Sequence, residues 1–162
     1  MIGLKSARHL ADLFWPAFEE RDGAVVFVGR EYPQLGEFKT RTAAEAFYSH
    51  THLLDEFRHS ISWGPDPVWP DAQAPDSDHP EFAVACDLAR TIAQMWLRKL
   101  EGDFPGDRFR VYVTTRNDPI VRFHRVYEGE VPWASDEQAA EQIASGDVTI
   151  YASADRDRPS PV

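Results

Sequence analysis

The apolar positions change period along the chain, from helical spacing near the N-terminus to strict alternation beyond residue 108, and the expected elements follow from that change. Ala7, Leu10, Ala11, Phe14 and Phe18 lie at helical spacing within residues 6–21. A kink or restart is expected at Pro16, which cannot donate to the helical ladder. Gly23 ends that segment. Residues 24–28 then form an unbroken β-branched and aromatic run, the pattern of a central strand buried on both faces. Residues 30–39, which contain Pro33 and Gly36, read at best as an edge strand after a turn.

Thr42 and Glu45 have the spacing of a capping box, and Ala43, Ala46, Phe47, Leu53, Leu54, Phe57 and Ile61 continue one apolar stripe. The spacing predicts an amphipathic helix over 43–60. Residues 63–80 are too rich in proline and aspartate for a helix or a central strand. Trp63, Val68 and Trp69 are costly to leave in water, so an ordered loop pinned by aromatics is expected there. Asp78, Pro80 and Glu81 mark the start of a helix over 81–100 whose apolar residues cover more than one face, making it the most buried helix.

Phe109, Val111 and Val113 alternate with Arg108, Arg110 and Tyr112, and a second run over 120–127 follows the turn-forming residues 116–119. That is a β-hairpin pattern. Ser135 and Gln138 suggest another capping box, Gly146 a helix end, and residues 148–152 a last strand. Hairpin strands with helices outside a regular βαβ alternation predict an α+β fold, an antiparallel sheet packed with three to four helices. One domain over residues 1–154 and a flexible tail over 155–162 are expected.

Composition narrows the function. The chain has 162 residues, 43% of them hydrophobic, enough for one real core. Its net charge of −10 repels phosphate backbones, which disfavours nucleic acid as a partner. Cys86 is the single cysteine, so an internal disulfide and a cysteine-rich zinc site are excluded, and a reducing cytoplasm fits best. Within an apolar helix it reads as a small core residue. Charged residues break up the N-terminal stretch, so neither a signal peptide nor a membrane span is expected.

Two groups of residues carry candidate chemistry. His50 and His52 lie on opposite sides of a helix, which discounts them as a shared ligand pair and leaves His50 in the apolar stripe. His52, Asp55, Glu56 and His59 share a helix face, where imidazoles and carboxylates could hold Zn, Fe or Mn. Asp78, His79 and Glu81 are the nearest further ligands in sequence. The plainer alternative is a solvated face with side-chain pairs along the helix.

The second group is the hairpin. Residues 98–125 carry a net charge of +3, leaving −13 for the rest of the chain. Arg108, Arg110, Tyr112, Arg122 and His124 would form one cationic sheet face suited to a carboxylate, a phosphate or an acidic surface. Arg125 interrupts the pattern and suggests a bulge. A wet sheet face, or arginines paired with the chain's own acids, is the plain alternative. The residues thus point first to a non-catalytic cytoplasmic binding or accessory domain for a protein or a small anionic ligand. The alternative is a metal-dependent hydrolase built on the histidine helix.

Overall fold

The computed structural model describes residues 3–66 and 72–154. It has an α+β fold in which every strand pair is antiparallel. The order is α1 (Leu4–Phe14), β1 (Phe18–Arg21), β2 (Ala24–Phe27), α2 (Arg41–Tyr48), β3 (Thr51–His52), α3 (Leu53–Glu56), β4 (Trp63–Pro65), β5 (Gln73–Pro75), α4 (Pro80–Asp103), β6 (Phe109–Thr114), β7 (Ile120–Arg125), α5 (Glu137–Ser145) and β8 (Val148–Ala152). The main sheet runs β3-β7-β6-β8, while β1-β2 and β4-β5 are separate two-stranded ribbons.

α4 is the central support of the sheet. Pro80 opens it at a position where the missing N–H costs nothing, and the cap is His79, whose Nδ1 accepts from Glu81 N at 3.2 Å. Phe82, Ala89, Ile92, Trp96 and Leu100 of α4 pack with Phe109, Val111, Val113, Val121 and Phe123 of the hairpin. Burying those side chains at about 25 cal/mol per Å² is the main force holding helix to sheet. Cys86 belongs to the same core, and burial raises its thiol pKa.

Several expectations are corrected. α1 stops before Pro16, and residues 18–21 are a strand instead of a continued helix. The reason is the Asp22-Gly23 turn: both residues have positive φ, 52° and 78°, the geometry of a two-residue hairpin loop that suits this pair. β2 is buried along its whole length, but it is half of a two-stranded ribbon rather than a central strand. Its two faces feed two clusters, Val25 and Phe27 into the α4 core and Ala24 and Val26 into a smaller one with Leu35 and Ala44.

The expected helix over 43–60 is broken. α2 is capped by Thr40, whose Oγ1 accepts from Ala43 N at 3.1 Å, so Thr42 and Glu45 are not a capping box. The helix ends at Tyr48 because Ser49 is recruited to the edge of β7. Its hydroxyl accepts from Phe123 N at 2.8 Å and lies 3.1 Å from Phe123 O. The next residues pair with β7 as β3, with Thr51 opposite Val121 and His52 opposite Ile120. A short helical turn, α3, follows.

In the proline-rich stretch, β4 and β5 form a small ribbon, and Trp63 Nε1 donates to Arg58 O at 3.0 Å. Val68 and Trp69 lie outside the described residues, as does the expected tail over 155–162. α5 is capped by Asp136 instead of Ser135, its carboxylate accepting from Ala139 N, and at its other end by Gly146, whose φ of 84° is the left-handed cap that glycine favours. Among the described residues no helix is long and apolar enough to cross a membrane.

Candidate functional site

The hairpin register places Arg110 opposite His124 and Tyr112 opposite Arg122, so these four share one sheet face as alternation predicts. The face is not open. Tyr112 is 0% exposed and His124 2%, which removes both from contact with any ligand. Trp133 covers them, its ring meeting Tyr112 edge-on at 5.2 Å and lying 4.1 Å from the Arg122 guanidinium. His124 Nδ1 lies 2.7 Å from Arg125 O and must donate to it, so Nε2 is an acceptor for the Tyr112 hydroxyl at 2.8 Å. Burial lowers the His124 pKa, consistent with this neutral ring.

Tyr112 and His124 thus form an internal polar pair in place of an open ligand face, while Arg110 and Arg122 are half-buried. Arg108 precedes β6 and is exposed. Arg125 makes no bulge: the ladder continues through its pairing with Phe109, and its guanidinium meets Glu20 at 2.6 Å and Asp107 at 3.1 Å.

The histidine helix fares similarly. His52 sits on β3, Asp55 and Glu56 on α3, and His59 on a short 3-10 turn, so no single helix face joins them. Glu56 Oε2 is taken by His9 Nε2 at 2.5 Å, and His52 Nδ1 by Asp118 Oδ2 at 2.6 Å. Among the described residues no three His, Cys, Asp or Glu side chains are grouped to hold a metal ion. His79, a further ligand on paper, caps α4.

What the fold does assemble is a different cluster. Because residues 51 and 52 are extended, His50 and His52 fall on the same side, with ring centroids 4.5 Å apart. The discounted pair is thus a neighbouring pair. Burial and the adjacent Arg122 and His52 push the His50 pKa down to about 4, so His50 is neutral at physiological pH. The Asp118 hydrogen bond and charge raise that of His52. Arg122 is lowered to about 10 by burial but stays charged. His50 Nε2, Arg122 Nε and Asp118 Oδ1 are buried without hydrogen-bond partners, a concentration of unmet polar atoms in one cluster.

His52 and Asp118 also line a cleft of about 600 Å³ formed by β3 and α3, the β4-β5 ribbon, the β6-β7 turn and the start of β8. That volume suits a small molecule. Asp55, Asp147, Arg58 and Arg116 reach the same cleft, giving it both signs of charge. Arg58 is partly committed, since it donates to Gln73 Oε1 at 2.6 Å and stacks on Trp63. With Nδ1 fixed by Asp118, His52 retains Nε2 for a ligand and can donate or accept there.

Asp118 was legible only as a turn former, because its partner lies 66 residues away. The alternation of His50, Thr51 and His52 was the one local sign of an extended segment. No protein-family model matches the chain, and neither a curated protein nor a solved structure matches it.

Proposed function

We propose that the chain is a cytoplasmic binding domain that holds a small polar molecule in the cleft beside His52 and Asp118. The carrying observation is the 2.6 Å His52–Asp118 pair at the wall of a ligand-sized cleft. Four carboxylates, Asp55, Asp66, Asp118 and Asp147, line it against Arg58, Arg116 and His52. A ligand carrying only negative charge meets more repulsion than attraction in such a lining. A molecule with one acidic and one basic group fits better, its acid towards Arg116 and His52 and its amine towards Asp55 and Asp147. This reading replaces the anionic ligand expected on the hairpin face, none of whose residues lines the cleft. The net charge of −10 weighs against nucleic acid.

Calorimetric titration with three matched sets of small molecules tests the reading: dicarboxylates, diamines and free amino acids. Binding confined to the amino acids, and weakened by both His52→Ala and Asp147→Asn, is the expected result. Heat that both variants leave unchanged, or no heat from any set, overturns it.

A further inference from the structure

The two edges of the main sheet are treated differently. On the β7 side, the edge strand β3 is only two residues long, and beyond it Ser49 and Glu45 occupy the backbone groups of Phe123 and Arg125. β8 forms the opposite edge; Val148 at its start is buried and Ala152 at its end is exposed, and no side chain among the described residues is hydrogen-bonded to its outer backbone groups. Its sequence, Val148-Thr149-Ile150-Tyr151-Ala152, carries no charge, proline or bulge. Those are the usual devices that keep sheet edges from pairing.

The register identifies the open groups. Thr115 N donates to Asp147 O and Ser153 N to Phe109 O, so the odd-numbered residues of β8 point their backbone groups at β6. By alternation, the N–H and C=O groups of Val148, Ile150 and Ala152 point outward. We infer that a second copy of this chain pairs with β8 in antiparallel fashion about a two-fold axis at Ile150, joining two four-stranded sheets into one.

A second copy fits this edge because the strand is complementary to itself. Centred on Ile150, the pairing sets Val148 against Ala152, Thr149 against Tyr151 and Asp147 against Ser153. No like charges meet, and every outward backbone group finds a partner. The axis stands perpendicular to the sheet, so α5 of each copy lies on the same face, flanking the junction. α5 packs on β8, yet none of its residues is buried, and Ile143 remains 39% exposed. Apolar helix surface is thus available beside the paired strands. Each copy carries −10, so long-range repulsion opposes association and salt strengthens it.

Sedimentation equilibrium of the full chain, from micromolar to millimolar protein in low and high salt, tests the pairing. A monomer–dimer equilibrium that tightens with salt is expected. Ala152→Pro deletes an outward N–H at an exposed position while leaving the β6 ladder intact, and it should weaken the dimer by about tenfold or more. Ile150→Lys sets two like charges together at the axis and should abolish it, with thermal unfolding of each variant confirming the fold. Hydrogen exchange supplies a readout that another interface would not give: the amides of Val148, Ile150 and Ala152 become protected as the dimer fills. A monomer under every condition overturns the inference. So does a dimer that Ala152→Pro leaves unchanged, with those three amides unprotected.

Discussion

The Tyr127 hydroxyl lies 2.6 Å from Glu45 Oε1 and 2.9 Å from Gly23 O, so its single hydrogen must serve two acceptors. Tyr127 donates to Glu45 Oε1 and shares the same hydrogen with Gly23 O as a three-centre bond. Glu45 is fully buried and also accepts from Val25 N at 2.6 Å and Arg125 N at 2.5 Å. Its three donors favour the charged carboxylate, while burial favours the neutral form and outweighs them. One side chain thereby closes the open edge of β2, part of the edge of β7 and the start of the segment leading to Trp133.

Burial pushes the Glu45 pKa from 4.5 up to about 7. Between those values the native state holds a proton that the unfolded chain has released, so the contribution of neutral Glu45 is complete below pH 4.5 and declines as pH rises to about 7. Urea unfolding across this window should show a falling component in the wild type that Glu45→Gln lacks. Identical pH profiles for the two proteins would count against a protonated Glu45.

Tyr127→Phe removes the hydroxyl and leaves Gly23 O and Glu45 without their shared partner. Since Glu45 is buried and Gly23 partly so, the cost should be about 1–3 kcal/mol in unfolding free energy. A loss below about 0.5 kcal/mol would mean that water replaces the hydroxyl.

Ser49→Ala strips the Phe123 backbone of its edge partner. Ser49 is 2% exposed, so solvent does not substitute, and a loss of about 1–3 kcal/mol is expected. Hydrogen exchange at the Phe123 amide should accelerate more than at Val121, whose strand partner is Thr51.

The Asp118 hydrogen bond raises the His52 pKa, whereas burial holds that of His50 near 4. The His52–Asp118 pair therefore stabilises the fold below the ordinary histidine value of 6.5, and that contribution fades as pH rises through the raised native value. Proton NMR titration should find His52 above 6.5 and His50 uncharged at pH 5.5. Asp118→Asn should bring the His52 value down; an unchanged value would show that the pair does not form in solution.

Local patterns located several elements without tertiary information. The apolar surplus of 81–100, the alternation of the hairpin and the Gly146 stop produced α4, β6, β7 and α5 nearly in place, because burial, pleat and capping act over a few residues. The Asp22-Gly23 turn is equally local, and it prevails over a helical period that Pro16 cannot sustain. The 43–60 stripe misled for a different reason. Its apolar spacing continues through Ser49, but the backbone of Phe123, distant in sequence, offered that serine a better use than a helix.

The α+β class, the helix under the sheet, the hairpin and the acidic balance are all legible along the chain, since each depends on residue order within a window or on composition. The candidate site depends instead on how the elements pack in space. That packing buried Tyr112 and His124 of the hairpin beneath Trp133, separated His52 from Glu56 and His59, and brought Asp118 to His52 and Tyr127 to Glu45. Those outcomes depend on which polar groups can be satisfied once the chain is compact. A buried donor takes the acceptor that packing presents, and that partner has no fixed distance along the sequence.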